Sequence, residues 1–124
     1  MREINIRYVL EKKGELKLIT YSIDRIECSS EIFNFGLQGW IIKDRQLGTG
    51  FKDKNGKEGY HKDICMDEIW HLWFIEWVDE NAGFALQPLG GAVRNWDMMW
   101  LGCIKDMVIV ANACENPELL NATK

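Results

Sequence analysis

A chain of 124 residues, 47% of them hydrophobic, is long enough to bury a core without disulfide staples and too apolar to stay disordered. Its net charge of −4 and pI of about 5.2 exclude a uniformly basic nucleic-acid binder. No apolar run approaches the roughly 18–20 residues that span a bilayer and no signal peptide is visible, so the expectation is a soluble, cytoplasmic protein, a single domain over residues 1–124. Cys28, Cys65, Cys103 and Cys114 are widely spaced with no Cys-x-x-Cys pair, which reads as four thiols, mostly buried as small hydrophobes.

Residues 2–10 alternate, with Ile4, Ile6, Tyr8 and Leu10 on one face and Glu3, Asn5 and Arg7 on the other, as in a half-buried strand. After the polar break Glu11-Lys12-Lys13-Gly14, residues 16–21 read as its hairpin partner. Ser22-Ile23-Asp24 and Ser29-Ser30-Glu31 offer capping residues for a short turn of helix. Leu37–Lys43 reads as a third strand centred on Trp40. Asn55-Gly56 then supplies two residues that tolerate positive φ, the requirement of a tight hairpin turn, with Phe51 and Tyr60 on its arms. Ile69–Val78, IWHLWFIEWV, fits both a helical apolar stripe and a strand; its aromatic content and the turn residues Asp79–Gly83 favour a strand. Phe84-Ala85-Leu86 returns as partner until Pro88 and the Gly90-Gly91 break. Val93–Trp100 is too apolar for a free loop, and Met107–Ala113 reads as a buried strand. Asn116 and Pro117 are the N-cap and first residue of a last helical turn. Many short strands separated by turns predict a mainly β fold: one compact antiparallel domain, barrel- or sandwich-like, with one or two short helical turns.

The segment Gly48–Cys65, GTGFKDKNGKEGYHKDIC, resembles the TGLKDKNGKEIYEGDIV segment of the YopX family, small proteins encoded by phages and prophages. Met1-Arg2-Glu3-Ile4 is similar to that family's MREIKFR opening, Glu76-Trp77 with Ala82-Gly83-Phe84 to its VEWD…GF strand and turn, and Glu115–Leu120 to its ENPELL ending. Residues 21–47 and 86–104 carry no clear family motif. Where the family reads Tyr-Glu-Gly-Asp-Ile-Val, this chain has Tyr60-His61-Lys62-Asp63-Ile64-Cys65, and Lys62 cannot take positive φ as cheaply as the glycine it replaces. The resemblance implies a phage or prophage accessory role and brings no established activity with it.

The residues spell out no catalytic site. There is no Gly-x-Ser-x-Gly elbow, no triad context for either histidine, and no phosphate-binding glycine loop. His61, Asp63 and Cys65 would share one strand face, with His71 as a fourth candidate zinc ligand, but spacing of two occurs on any polar edge strand, and the expectation is no metal and no cofactor. Asp53-x-Asn55-Gly56 is not a calcium loop, because Phe51 and Lys62 stand where ligands are needed. Its reading is structural: Asp53 accepts backbone N–H groups, and Gly56 takes positive φ.

Two features suggest contacts. From Lys43 to Lys62 six basic and three acidic residues give a net +3, while Asp63–Glu80 carries six acidic residues and no Lys or Arg, net −6. Two solvated hairpin ends would explain this split, and so would a partner surface. Six tryptophans are also many for a small core. The candidate interface is therefore Trp70, Trp73, Trp96 and Trp100 with Lys52, Lys54, Lys57 and Lys62. The expectation is a non-catalytic protein that acts through protein–protein contacts, by self-assembly as a homo-oligomer, with a host factor, or both. A small β-barrel binding nucleic acid through the 43–62 lobe, with Phe51 and Tyr60, is the alternative reading.

Overall fold

The computed structural model describes residues 4–28, 30–89 and 99–121. The chain divides into two compact units, Met1–Gly48 and Thr49–Lys124. Its strands form two antiparallel sheets, and its helices are short, so the architecture is mainly β as expected.

In the first unit, β1 (Asn5–Lys12) pairs with β2 (Glu15–Ser22) through a two-residue turn. Lys13 and Gly14 both take positive φ, at 52° and 83°, as the turn matched to strand twist requires. Two helices follow, α1 (Ile23–Cys28) and α2 (Glu31–Leu37), where the sequence suggested a single turn. The predicted strand at Leu37–Lys43 needs correction. Residues 35–40 close α2 instead: Gly39, at φ 96°, donates its N–H to Gly36 O, and Trp40 donates to Phe35 O, the paired bonds of a Schellman cap. Only then does β3 (Ile41–Lys52) begin, antiparallel to β1. The core of this unit is Tyr8, Leu10 and Tyr21, with Ile32, Phe35, Trp40 and Ile42 packed against them.

In the second unit the end of β3 runs beside β4 (Glu58–Tyr60), joined by the Asp53–Lys57 turn. A five-stranded sheet follows, made of β5 (Asp63–Met66), β6 (Leu72–Val78), β7 (Gly83–Leu89), β8 (Met99–Trp100) and β9 (Val108–Asn112), in the order β8-β7-β6-β5-β9. The strand reading of 69–78 holds for β6: Trp73 and Ile75 are buried while Phe74 and Glu76 are half-buried, a period of two. Pro88 lies within β7 rather than ending it. There Pro88 pairs with Trp73 of β6, and the described residues of β8 pair with Ala85 and Leu86. β9 alternates, with Ile109 buried and Val110 exposed, and is less buried than its apolar sequence suggests. The core is Cys65, Trp73, Ile75, Leu86, Leu101, Ile104, Met107 and Ile109, closed by a turn of 3-10 helix at Leu101–Asp106. A last short helix, α3 (Glu118–Asn121), starts where Asn116 and Pro117 predict it, with Leu119 N–H donating to Asn116 O.

Candidate binding surface

Asp53 is 6% exposed and organises the turn between β3 and β4. Its Oδ1 accepts the N–H groups of Asn55 and Lys57, both at 2.9 Å, and its Oδ2 accepts the Ile109 N–H at 2.9 Å, tying the hairpin to β9. Burial pushes its carboxyl up, but the three N–H donors outweigh burial and hold it below the usual value. Gly56 N–H donates to Asp53 O, Asp53 N–H donates to Lys57 O, and Gly56 sits at φ 82° while Asn55 does not take positive φ. The turn is therefore a three-residue loop, Lys54-Asn55-Gly56, with one left-handed residue, rather than the two-residue Asn-Gly turn expected.

The turn between β5 and β6 repeats this design. Asp67 Oδ1 accepts the N–H groups of Ile69 at 3.0 Å and His71 at 2.9 Å, and Oδ2 accepts the Trp73 indole N–H at 3.0 Å. Asp67 N–H donates to His71 O, and Trp70 N–H donates to Asp67 O. Burial again pushes this carboxyl up and the indole and backbone donors more than reverse it. Here, however, the left-handed residue is Trp70, at φ 69°, and its side chain is 78% exposed. Ile69 beside it is 67% exposed. Asp67, Glu68 and Ile69 also line a pocket of about 340 Å³ with Cys103, Asp106 and Met107.

Trp100 is the second projecting ring, 70% exposed. Phe51 meets it edge-on, ring centres 6.0 Å apart. On the other side it lies against Gly102, where an added methyl would come within 2.5 Å of the indole. The remaining candidates separate. Trp73 must be withdrawn from the surface: at 8% exposure it packs in the core, its indole N–H satisfied by Asp67. Trp96 lies outside the described residues. Lys52, Lys54 and Lys57 are exposed on the hairpin. Lys62 is half-buried at φ 73°, so the lysine adopts the left-handed backbone where the family resemblance places a glycine. Tyr60, read as part of a nucleic-acid surface, is buried at 5% exposure.

The residues weighed for metal do not form one strand face. His61 is in the turn before β5 and packs on Phe84, with ring centres 5.6 Å apart, while Asp63 and Cys65 are buried in β5. Asp63 accepts from Tyr60 N–H and from the Asn112 amide, both at 2.9 Å. Burial, with help from the Asp63 and Asp53 carboxylates, pushes the Cys65 thiol up to about 12, far from a reactive thiolate. What sequence reading missed is the outer face of α2. Phe33 and Leu37, four residues apart, are 67% and 71% exposed, while Ile32 and Phe35 face the core. The signal was present: a helix apolar at 32, 33, 35 and 37 cannot bury every side against one layer.

The family model described as YopX protein matches residues 7–121. The chain belongs to the YopX family. No curated protein matches it. The family match spans both aspartate turns and every described lysine and tryptophan discussed above. Among the described residues, no helix is long and apolar enough to cross a membrane.

Proposed function

We propose that this YopX-family protein is a non-catalytic phage or prophage accessory protein that works through protein–protein contacts, with its own copies and with a host factor. The observation that carries the proposal is Trp70: the largest side chain occupies a left-handed position that suits glycine, and it points into water. Neither folding nor packing gains from that placement, since an exposed indole in water is costly and left-handed backbone strains a bulky residue by roughly 1–3 kcal/mol. A partner that covers the ring repays both. Tryptophan is the residue most enriched among binding hot spots, and the five hydrogen bonds made by Asp67 hold this one ready in advance. The pocket beside it combines the apolar walls of Ile69 and Met107 with the carboxylates of Glu68 and Asp106, which suits a partner presenting apolar and cationic side chains. Light scattering behind a sizing column tests self-assembly. A homo-oligomer is expected at tens of micromolar, and a strict monomer at both low and high salt would contradict it.

A further inference from the structure

The Asp53 hairpin presents a different chemistry from the Trp70 turn. Lys52, Lys54 and Lys57 are exposed, and none is in a salt bridge with a described residue. The acidic groups between them are turned to other work. Asp53 is buried under three N–H donors, and Glu58 accepts from the Gly50 N–H at 2.9 Å and from the Tyr60 hydroxyl. Both carboxylates keep their charge, but they are held against the backbone while the three lysines project, so Lys52–Glu58 carries a net +1 in a chain of net −4. Phe51, near the end of β3, meets Trp100 edge-on; Trp100 also lies against Gly102 yet remains 70% exposed. Lys52, the next residue of the strand, projects from the opposite face of the same hairpin.

We infer that this end of the hairpin, with Lys52, Lys54 and Lys57 projecting from it and the Phe51–Trp100 ring pair beside it, binds single-stranded nucleic acid. Three lysines supply contacts to phosphates, and a pinned, exposed indole supplies a platform on which one unpaired base stacks. A duplex hides its base faces, so the ring gives the surface its preference for single strands. A base-stacking site requires a ring that needs no ordering on binding, and the Gly102 contact provides it: any side chain at 102 would displace the indole. This assignment is independent of the Trp70 contact, which lies on another turn.

The test is fluorescence anisotropy of labelled dT20, U20 and a dT20·dA20 duplex against the full chain. Binding of both single strands is expected, with log K falling against log salt at a slope of about −2, the value for about three phosphates on a single strand. Trp100→Ala should weaken it at least about tenfold while Trp100→Phe retains most of it. The Lys52→Glu, Lys54→Glu, Lys57→Glu triple variant should abolish binding, and Trp70→Ala should leave it unchanged. All are surface positions, and a thermal melt verifies that each variant is folded. No binding to either strand at 50 mM salt overturns the inference. Equal binding to the duplex, or indifference to Trp100→Ala, overturns it too, since lysine electrostatics alone would then suffice. If charge reversal alters light scattering and not anisotropy, the lysines seat on another copy of the chain and the assignment falls.

Discussion

At one turn of this molecule the left-handed position is held by Gly56, at another by Trp70, although the two turns are otherwise built alike. Each begins with an aspartate whose Oδ1 accepts the N–H groups two and four residues on. Each closes with the same pair of backbone bonds, and each uses Oδ2 to reach a distant donor. Asp53 reaches the backbone of β9, whereas Asp67 reaches a side chain, the Trp73 indole. The first turn is what folding alone would select, since glycine takes φ 82° without steric cost. The second meets the same geometric demand with the bulkiest residue available. That contrast separates a turn that serves the fold from one that also serves a partner.

The largest expected effect distinguishes the two aspartates. Asp53→Ala leaves three N–H groups without their acceptor, and that of Ile109 is buried, so a loss of about 3 kcal/mol or more is expected from urea unfolding. Asp67→Ala also frees three donors, but the Ile69 and His71 N–H groups are exposed and water can replace the carboxylate there, and the Trp73 indole N–H is only partly buried, so a smaller loss of about 1–2 kcal/mol is expected. Equal losses would show that the two turns carry the same structural weight.

Gly56→Val comes next. Nothing lies within 4 Å of an added Cβ at Gly56, so any cost is backbone strain and not a clash. A drop of about 1–2 kcal/mol is expected in thermal melts. An unchanged melting temperature would mean that the turn adopts another conformation.

Acid acts on both turns together. The Asp53 and Asp67 carboxyls are held below the ordinary 3.8, so the unfolded chain takes up protons first as pH falls. Their contribution is present above that ordinary value and is lost as pH drops through it toward the folded-state values. The urea midpoint should fall between pH 5 and pH 3, as it does for any chain with such carboxylates, and Asp53→Asn should flatten that dependence. At the other end, Cys65 and Tyr21 are both raised to about 12, Cys65 by burial and Tyr21 by burial and its bond to Glu31. Stability contributed by both is complete below about pH 9 and declines as pH rises toward 12. A midpoint that stays constant from pH 8 to pH 11 would contradict these positions.

How legible this was in the sequence differs by element. The alternation at Trp73–Glu76 of β6, the left-handed Gly56 and the Asn116-Pro117 helix start are local patterns that survive folding. By contrast, β1 reads as half-buried in sequence yet is buried from Arg7 to Leu10, because pairing with both β2 and β3 makes it a central strand. The role of Asp53 was legible because its partners are two and four residues away, while the bond to Ile109 was not, since it spans 56 positions. The Asp67 turn was hidden because Asp-Glu-Ile-Trp-His contains no glycine to announce a left-handed residue. Gln38-Gly39 was misread as part of a strand because glycine marks a break without saying whether a helix or a strand ends there. Trp73 and Trp70 look equivalent in sequence; only the strand's inward face and the turn's outward projection separate buried from exposed.

The most direct measurement compares wild type with Trp70→Gly by two readouts, thermal unfolding of the isolated chain and light scattering at tens of micromolar. Placing glycine at φ 69° relieves strain and removes an exposed ring, so the folded protomer should gain about 1 kcal/mol while assembly is lost. Greater stability joined to weaker association is the signature of a residue kept for a partner at the expense of the fold. A variant that is less stable, or one that assembles as well as wild type, would show that Trp70 serves the protomer itself and would contradict the account.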